Sequence, residues 1–276
     1  MQSQPAYLSP TTSNKEWILK RHTLFVAAII FGIVLATEVS QAAPTGTKPE
    51  SGSAENQLDV SALWKFAPNP KLPNVLILGD SISIGYTLQV REQLEGVANV
   101  YRPMMSKNGQ ILPGNCSDSA TGLKKLHSWL GTNAWQVIHF NFGLHDLKYL
   151  DKNGKYVTAN KGTQVAAPEV YEKNLQEMVA LLKKTGAVLI WASTTPVPAN
   201  SPGRTAGDEK IFNRVAEKVM KENHVQIDDL WGVVAPQFEE LEIKPGNVHF
   251  NAEGNKILTS QVVQSIKSVL LRSEPK

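Results

Sequence analysis

A chain of 276 residues with 42% hydrophobic and 19% charged side chains has the balance of an ordinary globular protein, long enough for one α/β domain with a sizeable core. The formal net charge of +3, with no Lys/Arg block, leaves no electrostatic footprint for nucleic acid or an anionic membrane surface. Cys116 is the only cysteine, which excludes an intramolecular disulfide and leaves a thiol with no basic neighbour in sequence to activate it.

Residues 1–42 read as an export signal or N-terminal anchor. Lys15, Lys20 and Arg21 precede an uncharged apolar run from Leu24 to Ala36. That run is too short for a spanning helix, which needs roughly 20 residues, and suits a signal core of about 7–15. Ser40 and Ala42 then place small residues before a cleavage site at Ala43. The expected location is periplasmic or extracellular, with membrane attachment only through this segment if it stays uncleaved. Residues 43–59 are rich in Pro, Gly, Ser, Thr and Glu, so 43–72 is expected to be a flexible linker and lead-in to a domain over 73–272.

The domain opens on Val75-Leu-Ile-Leu78, an unbroken apolar run of the kind that forms a strand buried on both faces. Gly79 ends it, Asp80 and Ser81 follow, and a helix carries Tyr86, Val90 and Leu94 on one face. Strand, tight turn and helix put the Ser81 hydroxyl at the carboxyl end of a parallel strand, where α/β sheets bind ligands and helix N-termini favour anions. Such a serine is a candidate nucleophile; the competing role for Asp80 or Ser81 is to cap the helix.

A second strand is expected over Asn99–Arg102, then a loop over 103–119 that is long for an α/β connection. A helix with Leu123, Leu126 and Leu130 precedes a third strand, Val137–Phe140, which runs into Asn141-Phe-Gly-Leu-His-Asp146. After a polar excursion over 147–167, a helix spans Pro168 to Lys184 with Tyr171, Leu175, Met178 and Leu182 on one stripe. A fourth strand covers Val188–Ala192, a helix Asp208–Asn223, and a short fifth strand Val225–Ile227. The loop Pro245–Asn251 leads into a last helix bearing Leu258, Val262, Ile266 and Val269. Strands alternating with helical crossovers predict a parallel sheet covered on both faces. His127, His139, Trp129, Trp135 and Trp191 fall on or beside apolar stretches and are read as core.

Three polar clusters, Gly79-Asp-Ser81, Asn141 to Asp146, and Val248-His249, fall at element ends. In this order they resemble the blocks of the SGNH, or GDSL, hydrolases over about residues 74–270. Gly79-Asp80-Ser81-Ile82-Ser83 stands where that family has its nucleophile block. Gly143-Leu144-His145-Asp146 stands where it usually has Gly-x-Asn-Asp, and Val248-His249-Phe250, followed by Gly254 and a helix, where it has its catalytic histidine. The resemblance implies a three-layer α/β/α sandwich around a mostly parallel five-stranded sheet of flavodoxin-like order. It also implies ester hydrolysis through an acyl-serine without metal or organic cofactor, Ser81 attacking and His249 relaying the proton. Oxyanion donors are expected around the Ser81 N–H, Gly143, His145 or Asn141, with a further one from Gly109, Gly114, Asn115 or the Ser117 backbone.

Two positions depart from the family pattern. His145 replaces the usual asparagine, and Gly246 stands where an aspartate usually precedes the histidine by three residues. Either a backbone carbonyl near Gly246 orients His249 as part of a dyad, or a remote acid, Asp228, Asp229 or, more weakly, Asp146, does so. The expected partner is a small-molecule or polysaccharide ester with a small acyl group such as acetyl, and no nucleic acid. The missing aspartate motivates an alternative, an exported carbohydrate-binding or scaffold protein without catalysis. A two-metal phosphoesterase is disfavoured because no Asp-x-His precedes Gly79-Asp80 and no Gly-His-x-His follows. An α/β-hydrolase elbow, Gly-x-Ser-x-Gly, is broken by Ser83.

Overall fold

The computed structural model describes residues 60–272; the signal or anchor read over 1–42 and the tether over 43–59 lie outside the described residues. The central sheet contains β1 (Asn74–Leu78), β2 (Asn99–Tyr101), β5 (Val137–Phe140), β8 (Val188–Ala192) and β9 (Gln226–Asp228), all parallel, in the order β2-β1-β5-β8-β9. Val75 to Leu78 are sealed on both sides, as an unalternating apolar run requires, and pair with Val137 to Phe140.

Two helical layers cover the sheet. On one face α2 (Ser81–Gln93) packs against α8 (Ala252–Leu270), which also meets the short α6 (Leu230–Val234) and α7 (Phe238–Leu241). On the other, α3 (Ser119–Leu130), α4 (Pro168–Lys183) and α5 (Asp208–Glu222) pack in succession. The stripes predicted for these helices are the ones that turn inward: Tyr86, Val90 and Leu94 from α2 and its C-cap, Tyr171, Leu175, Met178 and Leu182 from α4, and Leu258, Val262, Ile266 and Val269 from α8. The second strand in sequence lies outside the first, and the third crosses to its other side. The strand order therefore reverses between β1 and β5, and the carboxyl ends of these two strands open the crevice at the topological switch point.

Four features differ from the sequence-based expectation. The 103–119 loop contains an antiparallel hairpin, β3 (Met104–Lys107) with β4 (Gln110–Pro113), closed by Asn108 and Gly109 at φ 51° and 76°. Paired positive φ values suit the twist of a two-residue hairpin turn, which Asn-Gly favours. The exposed Met104, Met105 and Ile111 lack the polar–apolar alternation that flags a half-buried strand. A short helix α1 (Val60–Trp64) lies within the 43–72 lead-in, buries Trp64 and holds the hairpin through a bond from Ile111 N–H to Ser61 Oγ of 2.9 Å. In the 147–167 excursion, β6 (Tyr149–Leu150) pairs with β7 (Thr163–Gln164). His127, read as core, is exposed on α3, whereas His139 is wholly buried.

Candidate active site

The turn after β1 fixes the first side chain. Asp80 caps α2 by accepting the Ile82 N–H at 2.9 Å, which makes Ser81 the first helical residue and leaves its N–H, like those of any first turn, without an intrahelical acceptor. Gly79 is required because a Cβ there would press on Ser83 Oγ, which already donates to Asp80 O at 2.7 Å. Asp80 thus has the capping role, and its burial raises its pKa.

His249 arrives from the far end of the domain. Its neighbours Val248 and Phe250 are buried, Phe250 stacks edge-on against Phe238, and Ile243 N–H donates to His249 O at 2.9 Å. These anchors turn the ring towards Ser81, so that His249 Nε2 lies 2.8 Å from Ser81 Oγ. Nδ1 lies 2.7 Å from Asn247 Oδ1, and the same oxygen accepts the His249 backbone N–H at 2.9 Å. A backbone N–H only donates, so the amide is oriented with its oxygen inward. That oxygen can only accept from Nδ1, so the ring carries its proton on Nδ1 and presents the Nε2 lone pair to the serine hydroxyl. Burial, then Arg204 and Lys148, lower the His249 pKa to about 4, so the ring is a neutral base at pH 7.

The orienting group therefore differs from every one expected. Among the described residues, no backbone carbonyl near Gly246 is hydrogen-bonded to the ring, whose Nδ1 is held by the Asn247 side chain. Gly246 instead occupies a left-handed turn position, φ 81°, and the chain bends there, Asn247 N–H donating to Lys244 O at 3.1 Å. Asp228 is turned under the sheet, where it pairs with His139 Nε2 at 2.9 Å and accepts from Gln261 Nε2 at 2.7 Å. Asp229 caps α6 through the Gly232 N–H and accepts from Ser193 Oγ. Asp146 ties the turn after β5 to the start of α3, accepting the Ser119 N–H at 2.9 Å and the Ser119 hydroxyl, while burial raises its pKa to about 7. Proximity in sequence to the histidine carried the needed signal: a side chain two residues upstream reaches the ring, and only its chemistry, amide rather than acid, is unusual.

The donor candidates separate in the same way. Gly143 has φ 148°, and a Cβ there would strike Thr194 Oγ1, so glycine is needed for the chain to turn off β5. Asn141 is not aimed at the crevice: its Nδ2 donates to Ala192 O at 2.7 Å and Thr194 Oγ1 at 3.3 Å. Gly114 has its N–H on Pro103 O and its carbonyl on Arg102, so it offers no spare donor. Gly109 sits at the tip of the β3–β4 hairpin, away from the sheet. Cys116 N–H donates to Gly79 O at 3.1 Å and stitches the 114–119 loop to the nucleophile turn, while Asn115 Oδ1 holds the Ser117 N–H at 2.9 Å with Ser117 at φ 60°. His145 remains, partly buried, with Lys148 Nζ 3.2 Å from its Nδ1.

Two supporting residues were invisible in the sequence. Arg102, 5% exposed, donates to Gly114 O at 2.7 Å, Thr87 Oγ1 at 2.9 Å and Gly79 O at 3.4 Å, so one guanidinium binds both loops that flank Ser81. Lys148 sits three residues past His145 and is almost as buried. Among the described residues, no group of three His, Cys, Asp or Glu side chains gathers as a metal site.

An ester hydrolase of the SGNH kind is the class of protein that this sheet order and this crevice define. The model of the GDSL-like lipase/acylhydrolase family matches residues 77–257, and the chain belongs to that family. No curated protein matches it. Solved structures similar to it include a lipase/acylhydrolase from Enterococcus faecalis, 18% identical with a TM-score of 0.56, covering 74% of this chain and 98% of that one. The acetyl xylan esterase AlAXEase is 15% identical with a TM-score of 0.53, covering 70% and 99%. Axe2, an acetylxylan esterase from Geobacillus stearothermophilus, is 15% identical with a TM-score of 0.53, covering 70% and 94%. At such identities the likeness is one of fold.

Proposed function

We propose that the protein hydrolyses esters through an acyl-serine intermediate, with an acetyl group on a carbohydrate as its substrate class. The carrying observation is the 2.8 Å contact between Ser81 Oγ and His249 Nε2, backed by Asn247 on Nδ1. In the proposed sequence His249 takes the Ser81 proton as Oγ attacks the ester carbonyl. The tetrahedral oxyanion is received by N–H groups of Ser81 and Gly143 and by the His145 ring, and the imidazolium then gives its proton to the departing alcohol. Water repeats the sequence on the acyl-serine. The small-acyl reading draws support from the two acetylxylan esterases of similar fold. The export-type N-terminus, Lys15 to Ala42, supports a site of action outside the cytoplasm, in the periplasm or beyond the cell.

The test is labelling with a fluorophosphonate. The chain should label, Ser81→Ala should not, and p-nitrophenyl acetate should be cleaved faster than long-chain esters. A chain that labels neither way is a binding protein that has kept the fold, and faster cleavage of long-chain esters would reject the acetyl assignment.

A further inference from the structure

The residue at the family's asparagine position poses a chemical problem. An asparagine amide always presents an N–H, whereas a neutral imidazole has one N–H and one lone pair, and only the right tautomer donates into the crevice. Lys148 Nζ lies 3.2 Å from His145 Nδ1 and 2.8 Å from Tyr156 Oη, and its ammonium stands 4.9 Å from the Tyr156 ring centroid. The lysine is only 7% exposed, so this placement is built in rather than a surface encounter.

An ammonium has three hydrogens and no lone pair, so it can only donate to Nδ1. The proton of the neutral ring must then be on Nε2. Protonating the ring fully would set an N–H against the ammonium, cation to cation. Among the described residues, Nε2 has no hydrogen-bond partner in the protein and is not among the buried polar atoms left unsatisfied. It therefore keeps solvent access, on a ring that His249 is near enough to act on.

The groups acting on the ring agree. Burial, Lys148, Arg204 and His249 disfavour the imidazolium and outweigh Asp118, at the start of α3, which favours it, so the His145 pKa lies well below the ordinary histidine value. The ring belongs to the turn after β5, the strand next to the one that delivers Ser81.

We propose that Lys148 is a positioning residue that locks His145 as its Nε2–H tautomer, making it a permanently neutral donor to the oxyanion in place of the family's asparagine. This rests on the acyl-serine reading above. It explains why a lysine is buried beside the site without being needed to touch the substrate: its charge is used to select which ring nitrogen bears the proton.

The experiment uses the full chain labelled with ¹⁵N-histidine, the two-bond proton–nitrogen spectrum reporting each tautomer and His145→Asn assigning the signal. At neutral pH His145 should show the Nε2–H pattern. In Lys148→Met that pattern should be lost or mixed, with kcat on p-nitrophenyl acetate falling about 10- to 100-fold at little change in KM, somewhat less than the loss of a whole oxyanion donor. Lys148→Arg, which keeps a donor, should recover most of both. In the His145→Asn background the losses should not add, because the lysine acts through the ring. An Nδ1–H or imidazolium form in the unmodified chain, or Lys148→Met with kcat and tautomer both unchanged, overturns the proposal. If Lys148→Met does not fold, the spectrum of the unmodified chain decides it alone. Failure of Ser81 to label with fluorophosphonate would instead overturn the hydrolase reading, whereas labelling beside an Nδ1–H His145 overturns only the role of the lysine.

Discussion

Replacing Asn247 with aspartate should accelerate this enzyme, and the structure sets the size of the gain. The variant places a carboxylate oxygen where the amide oxygen now lies, 2.7 Å from His249 Nδ1. With charge centres about 4 Å apart and an effective dielectric constant of about 20, the attraction to an imidazolium is about 4 kcal/mol. The ring is only partly buried, and Lys148 and Arg204 oppose its charge, so about half should be realised. About 2 kcal/mol is about 30-fold in kcat/KM, because in the proposed mechanism the imidazolium forms on the way to the transition state. The reverse change in a serine protease costs about 10⁴, chiefly through the wrong tautomer. Here Asn247 already accepts from Nδ1–H, so only the charge is missing and the expected gain is smaller.

The pH dependence follows with a definite sign. The His249 pKa is lowered to about 4, so the ring is neutral at all pH values above that, and with His249 as the proposed base the acid limb of kcat/KM should fall near 4. A carboxylate at 247 favours the protonated ring and should move the limb up to about 5–6, at 1.36 kcal/mol per unit. The variant should thus be faster at pH 8 and lose its advantage as the pH falls through that window. Pre-steady-state and steady-state hydrolysis of p-nitrophenyl acetate across pH measures both. An Asn247→Asp variant no faster than the parent at pH 8, or a parental limb at the ordinary histidine value, would refute the reasoning.

Two further substitutions test the scaffold around Ser81. Arg102→Met leaves Gly79 O and Gly114 O buried without their guanidinium donor. It should lower stability by about 2–4 kcal/mol, read from urea unfolding, and slow fluorophosphonate labelling of Ser81. Gly143→Ala places a side chain at φ 148° and against Thr194 Oγ1, which should cost at least about 1–3 kcal/mol and reduce kcat more than KM, while melting falls by several degrees. An alanine variant as stable and active as the parent would show that the turn after β5 is not held as described.

Much of the fold could be read from the chain because its signals are local. Val75–Leu78, Val137–Phe140 and Val188–Ala192 announce buried parallel strands by unbroken apolar runs, and the last two begin and end where the periodicity places them. The helical stripes, Pro168 at its first turn and the Gly-Asp-Ser turn are equally local. The β3–β4 hairpin escaped because Met104, Met105 and Ile111 are exposed and follow no period, although Asn108-Gly109 marked its turn.

The site divides along the same line. Sequence alone determined that a serine would follow the first strand and that a histidine would precede the last helix, since both depend on short-range backbone geometry. Only the tertiary structure decided that Asn247 and not Asp228 faces the imidazole, that Asn141 is spent on β8, and that Arg102 and Lys148 are buried at the crevice. Those choices depend on which of several chemically eligible side chains the packed layers bring within about 3 Å of one atom. The bonds of Asn141 to Ala192 and of Arg102 to Gly79 join residues remote in the chain, and even where the partner is near in sequence, as Asn247 is to His249, no periodicity along the chain encodes which side chain turns to the ring.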